Sequence, residues 1–230
     1  MLLAGMLMAG MLMAGCVGGR FVVIDPGHQR RGNDGREPIG PGATETKAKV
    51  TGGTRGVATG LYEYELTLAV GLQLRDELAA RGYSVRMTRE SHDVDISNSE
   101  RAAVANDAGA DAFVRLHANG SGNAAANGAM TICQTPANPY NAALYPQSRA
   151  LSDAVLDALV ESTGCKRESV WETDSMSGIN WCAVPATIVE MGYMTNPAED
   201  RKLADAGYQR KIVNGLANGI DRFFAERTGP

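Results

Sequence analysis

Apolar positions along this chain alternate between two kinds of period. The runs Phe21-Val22-Val23-Ile24 and Ala112-Phe113-Val114-Arg115-Leu116 are short and nearly continuous, as expected of strands covered on both faces. Between them Leu66, Val70, Leu74 and Leu78 recur every fourth residue in a charged background. That stripe ends at Arg81-Gly82, the pattern of an amphipathic helix with a glycine stop, and it starts near Glu63 to Glu65. The same reading predicts strands over 83–89, 128–134 and 185–193. It predicts helices over 99–108, 148–162 and 208–224, the second of them stopped by Gly164. Strand, helix, strand, helix, strand implies an α/β fold. We expect a single domain with a twisted, mostly parallel sheet of about six strands, flanked by helices on both faces.

Two stretches break the alternation. Residues 29–60 are rich in glycine with scattered charges and show no sustained period; a loop of that length inside one domain is usually functional or mobile, and it reads as a flap. Residues 1–19 carry no charge until the domain begins and repeat Leu-Met-Ala-Gly as far as Met13-Ala14-Gly15-Cys16, in the manner of an export signal. Its apolar stretch is shorter than the roughly 20 residues a spanning helix needs, so no membrane span is expected. Cys16 after two small residues is similar to a lipoprotein cleavage box and is a candidate lipid anchor. The expected organisation is therefore an export or lipoprotein signal over 1–19 and one domain over 20–230.

Charge narrows the partners. With 22 Lys plus Arg against 26 Asp plus Glu and a pI near 5.4, the electrostatic footprint of a nucleic-acid binder is missing. Cys133, Cys165 and Cys182 show no Cys-x-x-Cys spacing and read as small apolar side chains.

Only three histidines occur, and two of them close apolar strand runs: His28 after Asp25-Pro26-Gly27, and His117 before Ala118-Asn119-Gly120. Proline and glycine turn the chain sharply, so His28 is presented at the carboxyl edge of the sheet, where open α/β sheets build their sites. Two imidazoles there are half of a zinc site, or two core histidines bonded to backbone; a third ligand decides. Glu190 stands among apolar and small residues in Thr187-Ile188-Val189-Glu190-Met191, where burial would raise its pKa toward the range of a general base. The other reading of Glu190 is an arginine partner. Glu63 and Glu65 both lie where a helix dipole favours acids, and spacing does not choose between them. His92, among Ser91, Asp93 and Asp95, is expected to be exposed.

These motifs together resemble the zinc-dependent N-acetylmuramoyl-L-alanine amidases with a lone α/β catalytic domain. The resemblance is carried by Asp25-Pro26-Gly27-His28, Glu63 ahead of Leu66-Thr67-Leu68-Ala69, Thr88-Arg89, Arg101 with Ala105-Asn106, His117-Ala118-Asn119, and Val189-Glu190-Met191-Gly192-Tyr193 before Thr195-Asn196. It implies that His28, Glu63 and His117 hold one Zn2+ and that Glu190 acts on the attacking water. It selects Glu63 over Glu65, and two histidines with one glutamate are a known catalytic zinc set. The implied substrate is bacterial peptidoglycan, cut between N-acetylmuramic acid and L-alanine by an exported, monomeric enzyme of the cell envelope. Asn119 is a candidate donor to substrate. Arg115, where the family has a small polar residue, is expected either to meet a substrate carboxylate or to pair with an acid on the sheet. Two rivals stay open: a non-catalytic peptidoglycan-binding or regulatory protein of the same fold, and another zinc hydrolase acting on the same polymer.

Overall fold

In the computed structural model, which describes residues 19–227, the apolar runs become a sheet and the fourfold stripes become its cover. Strand β1 (Phe21–Pro26) is followed by a small hairpin, β2 (Asn33–Pro38) and β3 (Thr46–Val50). Then come α1 (Glu63–Ala80), β4 (Ser84–Met87), α2 (Asn98–Asp107), β5 (Ala112–Asn119) and β6 (Ala129–Cys133). The chain continues through α3 (Tyr145–Thr163), β7 (Arg167–Glu172), α4 (Ser177–Asn180), β8 (Ala186–Tyr193), α5 (Pro197–Ala204) and α6 (Ala206–Glu226).

Six strands form one sheet in the order β4-β1-β5-β8-β6-β7, and β2 with β3 form a second, two-stranded one. Strands β4, β1, β5 and β8 run parallel, while β6 is antiparallel to β8 and β7 is parallel to β6. The expected α/β, mostly parallel architecture is thus the observed one. Two differences are corrections: residues 29–60 hold a hairpin rather than a plain loop, and the sheet gains β7 at its edge.

Alternation along each strand decides what faces what. Val22 and Ile24 of β1, Val114 and Leu116 of β5, and Val189 and Met191 of β8 share one core with α1, α3 and α6. Leu66, Val70, Leu74 and Leu78 of α1 are fully buried there, each contributing roughly 1.5–3 kcal/mol by burial. The opposite phase, Val23 and Phe113, packs with Ala102 and Ala105 of α2. This second cover is narrower, and it leaves the carboxyl ends of β1, β5 and β8 open beside the hairpin. Among the described residues no helix is long and apolar enough to cross a membrane. The candidate signal and Cys16 lie outside the described residues.

Candidate metal centre

Asp25 of β1, Arg115 and His117 of β5, and Ile188 and Glu190 of β8 all occupy the strand phase that points away from α1, α3 and α6. In the ladder His117 stands directly opposite Glu190, and the β5–β8 register shifts immediately beyond that pair. A bulge at a strand end re-aims the side chains beside it, a device common near functional sites. The turn that follows β1 brings His28 to the same edge. Its backbone sits at φ +60°, a left-handed conformation that a residue with a Cβ adopts at a cost. Gly27 is demanded by its neighbour: a Cβ there would lie 2.4 Å from the His117 ring and 2.6 Å from the Leu116 carbonyl oxygen.

Three donor atoms converge at this edge. His28 Nε2 lies 3.0 Å from Glu63 Oε1 and 3.1 Å from His117 Nδ1, and His117 Nδ1 lies 3.1 Å from Glu63 Oε1. The outer nitrogen of His28, Nδ1, lies 2.8 Å from the Thr51 carbonyl. A carbonyl only accepts, so Nδ1 carries the proton and Nε2 turns a lone pair inward. A lone pair and a carboxylate oxygen at that separation repel unless a cation lies between them. Two imidazole nitrogens, one held in orientation by a backbone carbonyl, with one carboxylate are the donor set of a borderline divalent ion such as zinc. Glu63 is fixed by backbone donors, Thr54 N at 2.7 Å and Ala118 N at 3.0 Å. Burial would raise its carboxyl, but the imidazoles of His117 and His28 beside it outweigh that and hold it well below the usual range. Glu65 instead accepts from Tyr62 N at 3.2 Å and caps the start of α1.

Glu190 has the opposite electrostatics. Its side chain lines the cleft, yet its Oε2 is closed off from solvent and has no hydrogen-bond partner. Loss of solvent, followed by the nearby charge of Glu63, pushes its pKa up to about 8. A carboxyl poised there can take and return a proton near neutral pH.

The family model described as N-acetylmuramoyl-L-alanine amidase matches residues 22–222. The chain belongs to that amidase family. It is 31% identical over 219 residues to the N-acetylmuramoyl-L-alanine amidase Rv3717 of Mycobacterium tuberculosis, covering 91% of this chain and 88% of that protein. An uncharacterized Bacillus subtilis protein, YqiI, is also 31% identical, over 90% of this chain and 85% of its own length. Among solved structures, the N-acetylmuramyl-L-alanine amidase Ami1 of Mycobacterium smegmatis superposes with a TM-score of 0.81 at 27% identity, covering 90% of this chain and 98% of that one.

Within this family member, the motifs Thr88-Arg89 and Arg101 acquire a physical role as the frame of the His28 turn. Arg101 donates to the carbonyls of Pro26 at 3.0 Å and His28 at 2.9 Å, and Arg89 donates to those of Pro26 at 2.8 Å and Gly27 at 3.1 Å. Behind them the fully buried Asp25 accepts from Arg101 at 2.7 Å, Arg115 at 2.8 Å and the Thr88 hydroxyl at 2.5 Å. Arg115 forms part of the cleft wall and pairs with Asp25, a carboxylate it shares with Arg101, while donating to Asn98 at 2.7 Å, so of its two expected partners the acid on the sheet is the one seen. Asn119 is tied locally, its Oδ1 accepting from Gly120 N at 2.8 Å while Nδ2 faces the Met130 sulfur at 3.4 Å. His92 is half-buried rather than exposed, its ring edge-on to Tyr64. Cys133 and Cys182 are buried free thiols, and Cys165 is half-buried and free. Sequence reasoning missed Arg36 and Lys47, which the hairpin brings into the cleft; nothing in their polar neighbourhood marked them out.

Proposed function

We propose that the chain is a zinc-dependent N-acetylmuramoyl-L-alanine amidase, which hydrolyses the amide between the lactyl group of N-acetylmuramic acid and the L-alanine of the peptidoglycan stem peptide. His28, Glu63 and His117 are the residues that hold the ion. Bound there, Zn2+ supplies Lewis acidity to the scissile carbonyl and makes water easier to deprotonate. Glu190, which lines the cleft, accepts the proton of the attacking water on its carboxylate and delivers it to the departing alanine amine. A cation held by the neighbouring ligands favours the charged, proton-accepting form of Glu190 before attack. Asn119 Nδ2, whose acceptor is only a thioether sulfur, turns to the substrate oxygen.

The observation that supports this reading most is the convergence of three donor atoms at 3.0–3.1 Å beside a half-buried carboxyl on the adjoining strand whose Oε2 has no hydrogen-bond partner. Structural ion pairs rarely leave one member of the set without a partner. Export to the cell envelope accompanies the substrate, with residues 1–19 as the signal, Cys16 as the candidate anchor and a monomer as the acting form.

Digestion of purified peptidoglycan tests the assignment. Mass analysis should find glycan ending in a free lactyl carboxyl and stem peptides beginning with a free alanine amine. Cleavage within the peptide, within the glycan or at an N-acetyl group instead would assign the protein to another hydrolase class.

A further inference from the structure

Beyond His117 and Glu190 the cleft continues as a cavity of about 410 Å³ beneath the β2–β3 hairpin, bounded on the other side by Ser175 and the start of α4. Two cations of the hairpin, Arg36 and Lys47, line it. Their own hydrogen bonds go to uncharged oxygens. Arg36 donates to the Thr46 hydroxyl at 3.2 Å and to the Thr46 carbonyl, and Lys47 Nζ donates to the Ser175 carbonyl at 2.6 Å. Among the described residues neither has a carboxylate partner. Arg115, in the same wall, is held on Asp25, a carboxylate it shares with Arg101, so the wall behind the hairpin cations is also positive on balance.

The hairpin is not free to swing these charges away. Trp181 Nε1 donates to the Pro38 carbonyl at 2.9 Å, Asn98 Nδ2 to the Lys49 carbonyl at 2.9 Å, and the Ser99 hydroxyl to Glu37 at 2.6 Å. The cations are therefore pre-organised over a cavity whose remaining walls include Val50, Ile132 and Ile188. Apolar walls lower the local dielectric and strengthen attraction for an anion. The single acid that lines the cavity is Glu190, at its inner end with His117.

We propose that Arg36 and Lys47 form an anion subsite that binds a free carboxylate of the stem peptide next to the cleaved alanine. The inference rests on the amidase reading above. In that substrate the lactyl carboxyl is consumed in the amide being cut and the acetylated sugars are neutral, so the anions near the bond belong to the peptide. A guanidinium fork and an ammonium group lining one cavity suit a carboxylate, through short charge-assisted hydrogen bonds that a carboxamide cannot match.

The test uses two synthetic muropeptides that differ only in whether the carboxyl on the residue after alanine is free or amidated. They are given to the wild-type protein and to the Arg36→Gln/Lys47→Gln double variant, with calorimetric titration of the corresponding stem peptides into both. Wild type should favour the free acid by about tenfold in kcat/KM, chiefly through KM, and bind the free-acid peptide about tenfold more tightly; the double variant should lose both preferences. Equal handling of the two substrates by the wild type, or an undiminished preference in the double variant, overturns the subsite. Failure to cut either substrate refutes the amidase reading instead, and the titration then still decides the subsite.

Discussion

Glu190 and Arg115 are both charged residues in apolar strands of the same sheet, and they end in opposite situations. Arg115 finds Asp25 across the β1–β5 ladder, in register with it, and shares that carboxylate with Arg101. Glu190 finds no partner for Oε2. That difference was not legible in the sequence, because it depends on which strands become neighbours and in which register. Placement alone did identify His28, His117 and Glu190 as candidates, since each interrupts or ends an apolar run. Spacing did not separate Glu63 from Glu65; the family resemblance did, and the structure supplies the physical reason, one carboxylate reaching the histidines and the other capping the helix. The contrast at Glu190 makes a prediction. Glu190→Gln should leave the circular dichroism spectrum and the Zn2+ content unchanged while reducing stem-peptide release from peptidoglycan by at least about a hundredfold, the scale of general acid–base catalysis. Release at the wild-type rate would remove Glu190 from the chemistry.

At the scale of elements, legibility followed apolar content. Strands β1, β5 and β8 and helices α1, α3 and α6 carry the residues that make the core, and their periods announced them. The hairpin strands Asn33–Pro38 and Thr46–Val50 are largely polar, the first mostly exposed and the second mostly half-buried, so the brief alternation of Lys47-Ala48-Lys49-Val50 was too short to betray them, and what orders them is backbone pairing and tethers to α2 and Trp181. Strand β7 alternates between exposed and half-buried positions at the sheet edge, too weak a pattern to stand out. Helix contacts were likewise invisible: α6 crosses α3 so closely that a Cβ at Gly219 would lie 2.5 Å from the Val155 Cα, and one at Gly215 2.7 Å from the Leu159 Cα. Backbone atoms cannot yield as side chains do. Gly219→Ala should therefore cost about 1–3 kcal/mol of stability, as overpacking typically does, despite alanine's better helix propensity. Thermal unfolding reads it as a lower Tm, with zinc binding retained in the folded fraction; an unchanged or raised Tm would show that the two helices have room.

Across the whole molecule, a buried arginine cluster organised around Asp25 joins the sheet to the turn that presents His28. Burial alone would raise the Asp25 carboxyl, but Arg101, Arg115 and the Thr88 hydroxyl hold it far below its ordinary value of 3.8. The unfolded chain therefore takes up this proton first as pH falls. The stability Asp25 contributes is complete above its unfolded value and is lost as the solution is acidified below about pH 4, and the lowered Glu63 acts with the same sign. Urea unfolding of the metal-free protein should show stability falling by about 1–3 kcal/mol between roughly pH 4.5 and pH 3, whereas a flat or rising profile would show that Asp25 is not held in its charged state by the fold. The same cluster ties the fold to the proposed chemistry, because the carbonyls it fixes belong to the residues that aim His28 at Glu63 and His117. The most direct measurement is metal content with activity. Natively purified protein should contain one Zn2+ per chain, lose peptidoglycan amidase activity when the ion is chelated, and regain it on adding Zn2+ back. Full activity in rigorously metal-free protein would contradict the account at its centre.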